Sequence, residues 1–284
     1  MHWTPRREKF RAVLEGNKCI HPGSVYDAMS ARCAEDIGFE VGMFAGSTAS
    51  MAVLGSPDLI VLTLTEFAGQ AYRINRAGNL PLLVDADHGY GNALNVKRTI
   101  EELETAGVAG LTIEDTDLPR PYGTTKPQLI SIDEGVGKMK AALAGRQDKS
   151  LAIAGRTSAV GINGVEDGIA RAKAYKKAGV DAMFFAGISS KADMEAIAAE
   201  VNIPIYLGST PPEINDLAYL GTQGVRIALQ GHTPIHAAVQ ATYDALKALR
   251  EGTPSGDIKN VVKGDLKEKI LRGGDHKQWL KGFL

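Results

Sequence analysis

Polar residues that could carry out chemistry stand where short apolar segments of this chain stop. They are Ser47, Asp85, Asp87, Glu114, Arg156 and His232. In a fold that repeats strand then helix, the carboxyl ends of all strands meet at one face, so these residues would share one pocket. Carboxylates beside an arginine and a histidine are typical of a metal-assisted active site for a small anion.

The densest cluster of such residues is VDADHGYG at positions 84–91. Asp85 and Asp87 are two residues apart at a strand end, so one can bind a cation while the other holds a water on that cation. Oxygen ligands with retained waters favour Mg²⁺, with Mn²⁺ as the alternative, over zinc. The competing interpretation is that both aspartates only cap the turn into the next helix.

The next two strand ends carry Glu114 and Arg156, the latter closing the apolar segment LAIAGR. A buried guanidinium requires an anionic partner. That partner could be Glu114 or a substrate carboxylate bound through two hydrogen bonds, and the two interpretations are compatible. Glu114 could also support the cation from outside its ligand shell, whereas a turn role suits the neighbouring Asp115.

Two further candidates come from the second and eighth strand ends. Ser47 closes MFAGS and could hold a carboxylate together with nearby backbone NH groups. His232, in LQGHTP, could orient a ketoacid or stabilise developing charge. A purely structural role for this histidine is equally compatible with the sequence.

Eight apolar segments, each followed by a helix-like stretch, would position these residues. They are 18–24, 41–47, 80–85, 107–114, 151–156, 181–186, 203–207 and 224–229. Their continuous apolar character is typical of strands buried on both faces of a parallel sheet. Glycines are predicted to end the helices between them, namely Gly38, Gly78, Gly107, Gly145, Gly179 and Gly221.

This alternation predicts an α/β fold, a (β/α)₈ TIM-type barrel, over residues 1–251. The alternative, a doubly wound open sheet, lacks its Gly-rich nucleotide fingerprint. The amphipathic stretch 252–284 is predicted as a C-terminal helical extension that caps the barrel, packs on a partner subunit or forms an ordinary surface helix. The long connections 48–63 and 115–131 follow strands and are candidate lids or irregular loops.

The overall composition narrows the class of partner. Lys and Arg number 32 and Asp and Glu 33, which gives no electrostatic argument for binding nucleic acid or an anionic membrane. The start MHWTPRREKF lacks the apolar core of a signal peptide, and no apolar run has the length of a membrane span. We therefore expect a cytoplasmic protein that acts on a small molecule.

The chain resembles the isocitrate lyase/phosphoenolpyruvate mutase superfamily from end to end. The motifs that carry the resemblance are PGSVYDAMSA, GSPD, VDADHGYG, IED and AGRT. Members of that superfamily bind α-keto acids or enolates through Mg²⁺ in a (β/α)₈ barrel. They commonly exchange the last barrel helix between subunits and form tetramers, so the resemblance implies a homotetramer built as a dimer of dimers.

The resemblance also implies roles for individual residues. Asp85 would bind the metal, with supporting carboxylates at Asp87 and Glu114, and Arg156 would stabilise charge. Ser47 would belong to the cradle for the acid. Asp58, in the loop after the second strand, matches a position that some mutases and lyases use.

One departure from the family pattern indicates which branch of the superfamily the chain resembles. The lyases carry Lys-x-Cys-Gly-His after the fourth strand, with cysteine as the general acid, whereas RPYGT occupies residues 120–124 here. What remains is similar to the oxaloacetate decarboxylase branch, in which a histidine at the position of His232 contacts the substrate. The resemblance thus implies Mg²⁺-dependent decarboxylation of an α-keto dicarboxylate, oxaloacetate, through a metal-stabilised enolate. The alternatives are a methylisocitrate lyase-like or phosphonopyruvate-processing enzyme, or a non-catalytic ketoacid-binding barrel.

Overall fold

The computed structural model describes residues 2–284 and contains eight parallel strands whose order in the sheet follows the chain. The strands are β1 Gly23–Ser24, β2 Gly42–Phe44, β3 Leu82–Asp85, β4 Gly110–Glu114, β5 Ala152–Thr157, β6 Ala182–Phe185, β7 Ile205–Leu207 and β8 Val225–Ala228. Ile20, just before β1, closes the barrel: its NH donates to the carbonyl of Arg226 (3.0 Å) and its carbonyl accepts from the NH of Ala228 (2.9 Å).

Thirteen α-helices accompany the strands in the described part of the chain. They are α1 Thr4–Glu15, α2 Ala28–Ile37, α3 Gly46–Ala49, α4 Leu64–Asn75, α5 Ala93–Thr105, α6 Ile132–Gly145, α7 Ala159–Asn163, α8 Val165–Ala178, α9 Lys191–Glu200, α10 Leu217–Thr222, α11 Thr233–Arg250, α12 Gly264–Ile270 and α13 Gly273–Phe283. A π-helical turn, Ser50–Leu54, and a 3₁₀ turn, Ser255–Asp257, complete the regular elements. None of the described helices is long and apolar enough to cross a membrane.

The predicted (β/α)₈ barrel is confirmed, and each of the eight apolar segments overlaps one strand, although β5 extends one residue beyond its segment. The strands are generally shorter than the segments because only their central residues form the parallel ladder. The predicted helix-ending glycines divide into three groups. Gly78 lies three residues after the end of α4 and does not have a positive φ. Gly38, Gly107 and Gly179 have positive φ and follow helices, as expected for glycine at a helix end. Gly145 and Gly221 instead lie inside the last turns of helices.

The barrel interior is filled by side chains that alternate with those facing the helices. Met43, Leu83, Ala154, Tyr206 and Ile227 are buried there as one cluster. Helix α1 closes the amino-terminal end, where Phe10 joins the same cluster. Because this end is plugged, the carboxyl-terminal end of the strands is the open face, where active sites of this fold lie.

Helix α11 follows β8, but most of its length does not pack on the barrel of its own chain. Of its 18 residues only Ile235, in the first turn, is buried. Val239, Tyr243, Leu246 and Leu249 are exposed. The following helix α12 does contact the barrel: Ile270 is buried, and Arg32 on α2 donates to its carbonyl (3.1 Å).

Candidate active site

Asp85, the last residue of β3, is held in a fixed orientation at the open end of the barrel. Its Oδ1 accepts hydrogen bonds from the Thr112 hydroxyl on β4 (3.1 Å) and from the NH of Asp87 (3.2 Å). Its Oδ2 is paired with the guanidinium of Arg156. Groups from β4, from β5 and from the turn after β3 therefore meet at this one carboxylate.

Arg156 on β5 lies between two carboxylates. One terminal nitrogen contacts Asp85, and Nε lies 3.5 Å from Glu114 Oε2. The guanidinium carbon lies 5.1 Å from the ring centroid of Phe184 on β6, a cation–π distance. The register explains the arrangement, because Glu114 and Arg156 are direct partners in the β4–β5 ladder. The interpretation that Arg156 pairs with Glu114 is thus consistent with the geometry.

Asp87 follows β3 in a left-handed backbone conformation (φ 48°), which Asp and Asn tolerate better than most residues. Its carboxylate lies against the backbone of Gly46 at the start of α3, where an added Cβ would be 2.6 Å from Oδ1. Among residues 2–284, no group donates a hydrogen bond to this buried carboxylate. An acceptor so placed requires a donor from outside the chain, such as water.

The cluster carries more negative than positive charge, and the pKa values reflect this. Burial raises the pKa of Asp87 well above its ordinary value, and the charges of Asp85 and Glu114 raise it further. Burial also raises the pKa of Glu114, against the opposing effect of Arg156. A cation would relieve this repulsion by favouring the ionised carboxylates.

Asp58 lies in the connection after the π-helical turn and is more exposed than the other carboxylates. Partial burial raises its pKa, and the nearby charge of Asp85 adds to the effect. Asp58 therefore belongs to the same electrostatic group as the carboxylates at the strand ends.

Ser47 does not lie on β2 but in the first turn of the short helix α3, where it is half-buried. The strand ends earlier than predicted because Ala45 begins a capping arrangement in which the Thr48 hydroxyl and the Ala45 backbone bond to each other. Its place beside Gly46 keeps Ser47 at the same open end as Asp87.

His232 occupies the N-cap position of α11 at the same end of the barrel, and its side chain makes no hydrogen bond to the first turn of the helix. Its Nδ1 lies 2.9 Å from the Oγ of Ser24, the last residue of β1. Burial lowers the pKa of His232, against the attraction of Asp85, and the neighbouring His236 lowers it further. The imidazole is therefore neutral near pH 7, which suits an NH donor rather than a fixed positive charge.

Asp115 directly follows Glu114 but faces away from the site, as alternation along a strand requires. It is fully buried, and its Oδ2 accepts from Arg171 (3.0 Å) and from the Tyr175 hydroxyl (2.8 Å), both on α8. Arg171 also donates to the carbonyl of Ile130 (3.0 Å). Asp115 thus secures the base of the 115–131 connection, in agreement with the structural role expected of it.

Both predicted long connections have local structure. The 48–63 connection contains the π-helical turn, and in the 115–131 connection the NH of Asp117 donates to the carbonyl of Gln128 (2.8 Å). Tyr122, at the position where the lyases carry cysteine, is fully exposed. In this conformation the tip of the 115–131 connection projects into solvent.

Several residues that support the site were missed by sequence reasoning. Thr112 orients Asp85, and Thr116 donates to Glu114 (3.1 Å). Ser24 contacts His232 across the closure of the barrel. The threonines could have been found from their alternation with Glu114 along β4, but nothing local links Ser24 to a residue 208 positions away.

The donor chemistry of the cluster suits a hard divalent cation. The available ligands are carboxylate oxygens, and Asp87 offers one with no donor from the described chain. Among residues 2–284, no three His, Cys, Asp or Glu side chains form a complete ligand set. Carboxylate oxygens in this arrangement fit an ion such as Mg²⁺ that keeps most of its water.

Comparison with known proteins agrees with this geometry. Over 277 residues the chain is 59% identical to a protein named oxaloacetate decarboxylase from Bradyrhizobium diazoefficiens, which covers 98% of this chain and 96% of that protein. A solved structure of oxaloacetate acetylhydrolase with the inhibitor 3,3-difluorooxalacetate has a TM-score of 0.86 at 27% identity, covering 98% and 97% of the two chains. Phosphonopyruvate hydrolase, solved with oxalate and Mg²⁺, shares the fold at 23% identity (TM-score 0.84, coverage 98% and 99%).

The fold and the site define a (β/α)₈-barrel enzyme with an acidic, arginine-containing centre at the carboxyl ends of its strands. Residues 10–250 match the family described as phosphoenolpyruvate phosphomutase. The chain belongs to this family, and the superfamily resemblance seen in its motifs is confirmed.

Proposed function

We propose that this enzyme decarboxylates oxaloacetate to pyruvate and CO₂. The relative at 59% identity bears the name of this activity. The structural observation that carries the proposal is His232 held at the open end by Ser24, while the loop that carries an acidic thiol in the lyases carries an exposed Tyr122. Decarboxylation fits this arrangement, because it requires groups that stabilise the negative charge of an enolate but does not require a thiol as general acid.

The reaction breaks the bond between C3 and C4 of oxaloacetate and releases C4 as CO₂. The bonding electron pair moves into an enolate whose negative charge rests largely on the C2 oxygen, and a proton added to C3 then gives pyruvate. A positive charge held near that oxygen lowers the barrier because it interacts more strongly with the enolate than with the ketone.

The residues of the site supply this environment in distinct ways. Arg156, fixed between Asp85 and Glu114, places a permanent positive charge at the centre of the cluster. Ser47 and the neighbouring backbone NH groups would bind the C1 carboxylate, and neutral His232 would donate an NH to the substrate. The proton for C3 would come from water, His232 or Tyr122.

A divalent cation completes the proposed centre. Asp85 would bind it directly, and Asp87, Glu114 and Asp58 would hold its water molecules. Mg²⁺, or alternatively Mn²⁺, would act as a Lewis acid toward the two oxygens of the α-keto acid.

Replacement of Arg156 tests the assignment of charge stabilisation. We expect Arg156→Ala to lower kcat for oxaloacetate by about 100-fold or more, since removal of a single preorganised donor has effects of this size. Arg11→Ala is the matched control, because Arg11 pairs with Asp181 at the opposite end of the barrel. Near-normal turnover by Arg156→Ala would refute this role.

The choice of substrate is tested with the unmodified protein and Mg²⁺. Oxaloacetate, methylisocitrate and phosphonopyruvate are supplied separately, and pyruvate release is followed. We expect pyruvate from oxaloacetate. Pyruvate from methylisocitrate alone would identify a lyase, phosphonopyruvate turnover would identify a C–P bond enzyme, and binding without turnover of any of them would identify a ketoacid-binding barrel.

We also infer that α11 is exchanged between subunits of a homotetramer arranged as a dimer of dimers. The support is the apolar face of Val239, Tyr243, Leu246 and Leu249, which the barrel of the same chain leaves exposed. The segment 252–284 would then be an extension of the barrel domain, 1–251, that packs near the exchanged helix. Light scattering after size exclusion would show four chains, and Tyr243→Glu with Leu246→Glu would shift the protein to smaller species.

We propose action on a small α-keto dicarboxylate in the cytoplasm, without nucleic acid or membrane partners. The near balance of 32 basic and 33 acidic residues supports the second part of this proposal.

A further inference from the structure

Ser24 is the only residue of the described chain whose side chain lies within hydrogen-bond distance of the His232 ring, and the two residues join the first and last strands of the barrel. Ser24 ends β1, and His232 follows β8. The Ser24 Oγ lies 2.9 Å from His232 Nδ1, within hydrogen-bond distance. No other side-chain hydrogen bond of Ser24 is present among residues 2–284, so its hydroxyl is committed to the histidine.

The second ring nitrogen of His232, Nε2, has no hydrogen-bond partner in the described chain. The ring is close enough to the acidic cluster for Asp85 to influence its protonation. A neutral imidazole carries its proton on one nitrogen only, so the bond at Nδ1 decides whether Nε2 is a donor or an acceptor.

The two directions of the Ser24 bond have different consequences for an anionic ligand. If Nδ1–H donated to Oγ, the bare Nε2 would turn a lone pair toward an acidic site and an anionic substrate. If the Ser24 hydroxyl donates to Nδ1, Nε2 carries the proton and can donate it in a hydrogen bond. The second arrangement is electrostatically favoured in a site with an excess of carboxylates.

We propose that Ser24 is a positioning residue that fixes His232 in the Nε2–H tautomer, so that this NH is presented to a carboxylate or carbonyl oxygen of the substrate. The inference rests on the proposed function for the identity of the ligand, an α-keto dicarboxylate. The tautomer itself is a property of the ligand-free protein and can be measured without turnover.

The primary test is nitrogen-15 NMR of histidine-labelled protein near neutral pH, where the protonated ring nitrogen of each neutral histidine is identified directly. The chain has six histidines, and the His232 signals are assigned by their loss in His232→Ala. We expect Nε2–H in the wild type, a mixture of tautomers in Ser24→Ala and retention of Nε2–H in Ser24→Thr. An Nδ1–H tautomer in the wild type, or an unchanged population in Ser24→Ala, would overturn the proposal.

A kinetic cycle provides the second test. Loss of the bond should lower kcat/KM for oxaloacetate by up to about tenfold in Ser24→Ala, the effect of one hydrogen bond. In a His232→Ala background the same Ser24 replacement should have no further effect, because Ser24 acts through the histidine. Equal effects in both backgrounds would show that Ser24 has only a structural role.

These two tests separate the inference from the proposed function. If oxaloacetate is not turned over but NMR shows the expected tautomers, the positioning role of Ser24 stands and the substrate assignment fails. If oxaloacetate is turned over and the Ser24 replacement leaves the tautomer unchanged, the substrate assignment stands and the positioning role of Ser24 fails.

Discussion

The two ends of the barrel both combine arginines with carboxylates, but their charges are balanced differently. At the amino-terminal end, fully buried Arg7 bonds to Asp148 (2.8 Å) and to the carbonyls of Val108 (2.9 Å) and Glu104 (2.6 Å). Arg11 and Arg146 share Asp181 there. Asp148 and Asp181 each pair with at least one arginine, and the carboxylate of Glu104 accepts from the backbone NH groups of Gln147 and Asp148.

At the carboxyl-terminal end, a single arginine faces several carboxylates. Arg156 contacts Asp85 and Glu114, while Asp87 has no donor in the described chain and Asp58 adds a further negative charge. Burial raises the pKa of Asp87, and the excess negative charge of Asp85, Glu114 and Asp58 raises it further. Removing one partner of a fully paired buried charge destabilises the fold, whereas groups left under-neutralised are available for a ligand.

The largest effect on stability is expected from breaking the paired end. Arg7→Ala removes a guanidinium that is 0% exposed, and with it the hydrogen bonds that this group donates to Asp148 and to the carbonyls of Val108 and Glu104. We expect the free energy of unfolding to fall by about 3–5 kcal/mol, the cost of removing one partner of a buried pair. Urea unfolding measures this loss. A loss below about 1 kcal/mol would mean that this end is not a stabilising cluster.

Replacing an aspartate by asparagine should change the free energy of unfolding in opposite directions at the two ends of the barrel. Asp87→Asn fits the left-handed backbone and the space beside Gly46, and it removes one of the repelling charges. We expect it to raise the unfolding free energy of the metal-free protein by on the order of 1 kcal/mol while lowering turnover. Asp148→Asn, which weakens the bonds to Arg7, Thr4 and Ser150, should lower it by about 1–3 kcal/mol.

If Asp87→Asn and Asp148→Asn changed the free energy of unfolding in the same direction, the proposed difference in charge balance between the two ends would be wrong. Thermal unfolding of the two variants beside the wild type, without added metal, is sufficient to decide. A fall in stability for Asp87→Asn would show that its carboxylate has partners that stabilise it.

The pH dependence of these variants should also differ in direction. The raised pKa of Asp87 means that its contribution to stability is present below the ordinary carboxyl range and is lost as the pH rises through the raised value. For Asp148, burial acts against ionisation, but hydrogen bonds from Ser150 and Arg7 lower the pKa. Its contribution is therefore present above the ordinary value and is lost as the pH falls through the lowered one.

The free energies of unfolding of the two variants and the wild type, measured at pH 8 and near pH 4, test these directions. The stabilisation by Asp87→Asn should be largest at pH 8 and shrink toward pH 4. The destabilisation by Asp148→Asn should persist at both values and disappear only in stronger acid. A stabilisation by Asp87→Asn that grew on acidification would contradict the direction assigned to Asp87.

The sequence predicts the carboxyl-terminal end better than the amino-terminal end for a physical reason. Continuous apolar segments locate the strands, and the polar residue that ends each segment, such as Asp85 or Arg156, necessarily reaches the open face. Arg7 lies in a charged amino-terminal segment that resembles a solvated helix. Its burial depends on how α1 closes the barrel, and local sequence carries no signal of that packing.

Contacts between distant positions are also absent from the sequence pattern. The predicted segment 18–24 ends at Ser24, but nothing in the local sequence indicates that this residue contacts His232, 208 positions away. Asp115 was expected to have a turn role, but its partners on α8 follow from the three-dimensional packing of α8 on β5. The exposure of α11 likewise depends on packing rather than on its amphipathic pattern.

We propose that the excess negative charge at the carboxyl-terminal end binds a divalent cation. Calorimetric titration of Mg²⁺ into the metal-free protein in the presence of oxalate, which resembles the enolate, tests it most directly. We predict one Mg²⁺ per chain, binding that is abolished in Asp85→Asn, and binding that is unchanged in Asp148→Asn. Equal Mg²⁺ binding by the wild type and Asp85→Asn would contradict the account.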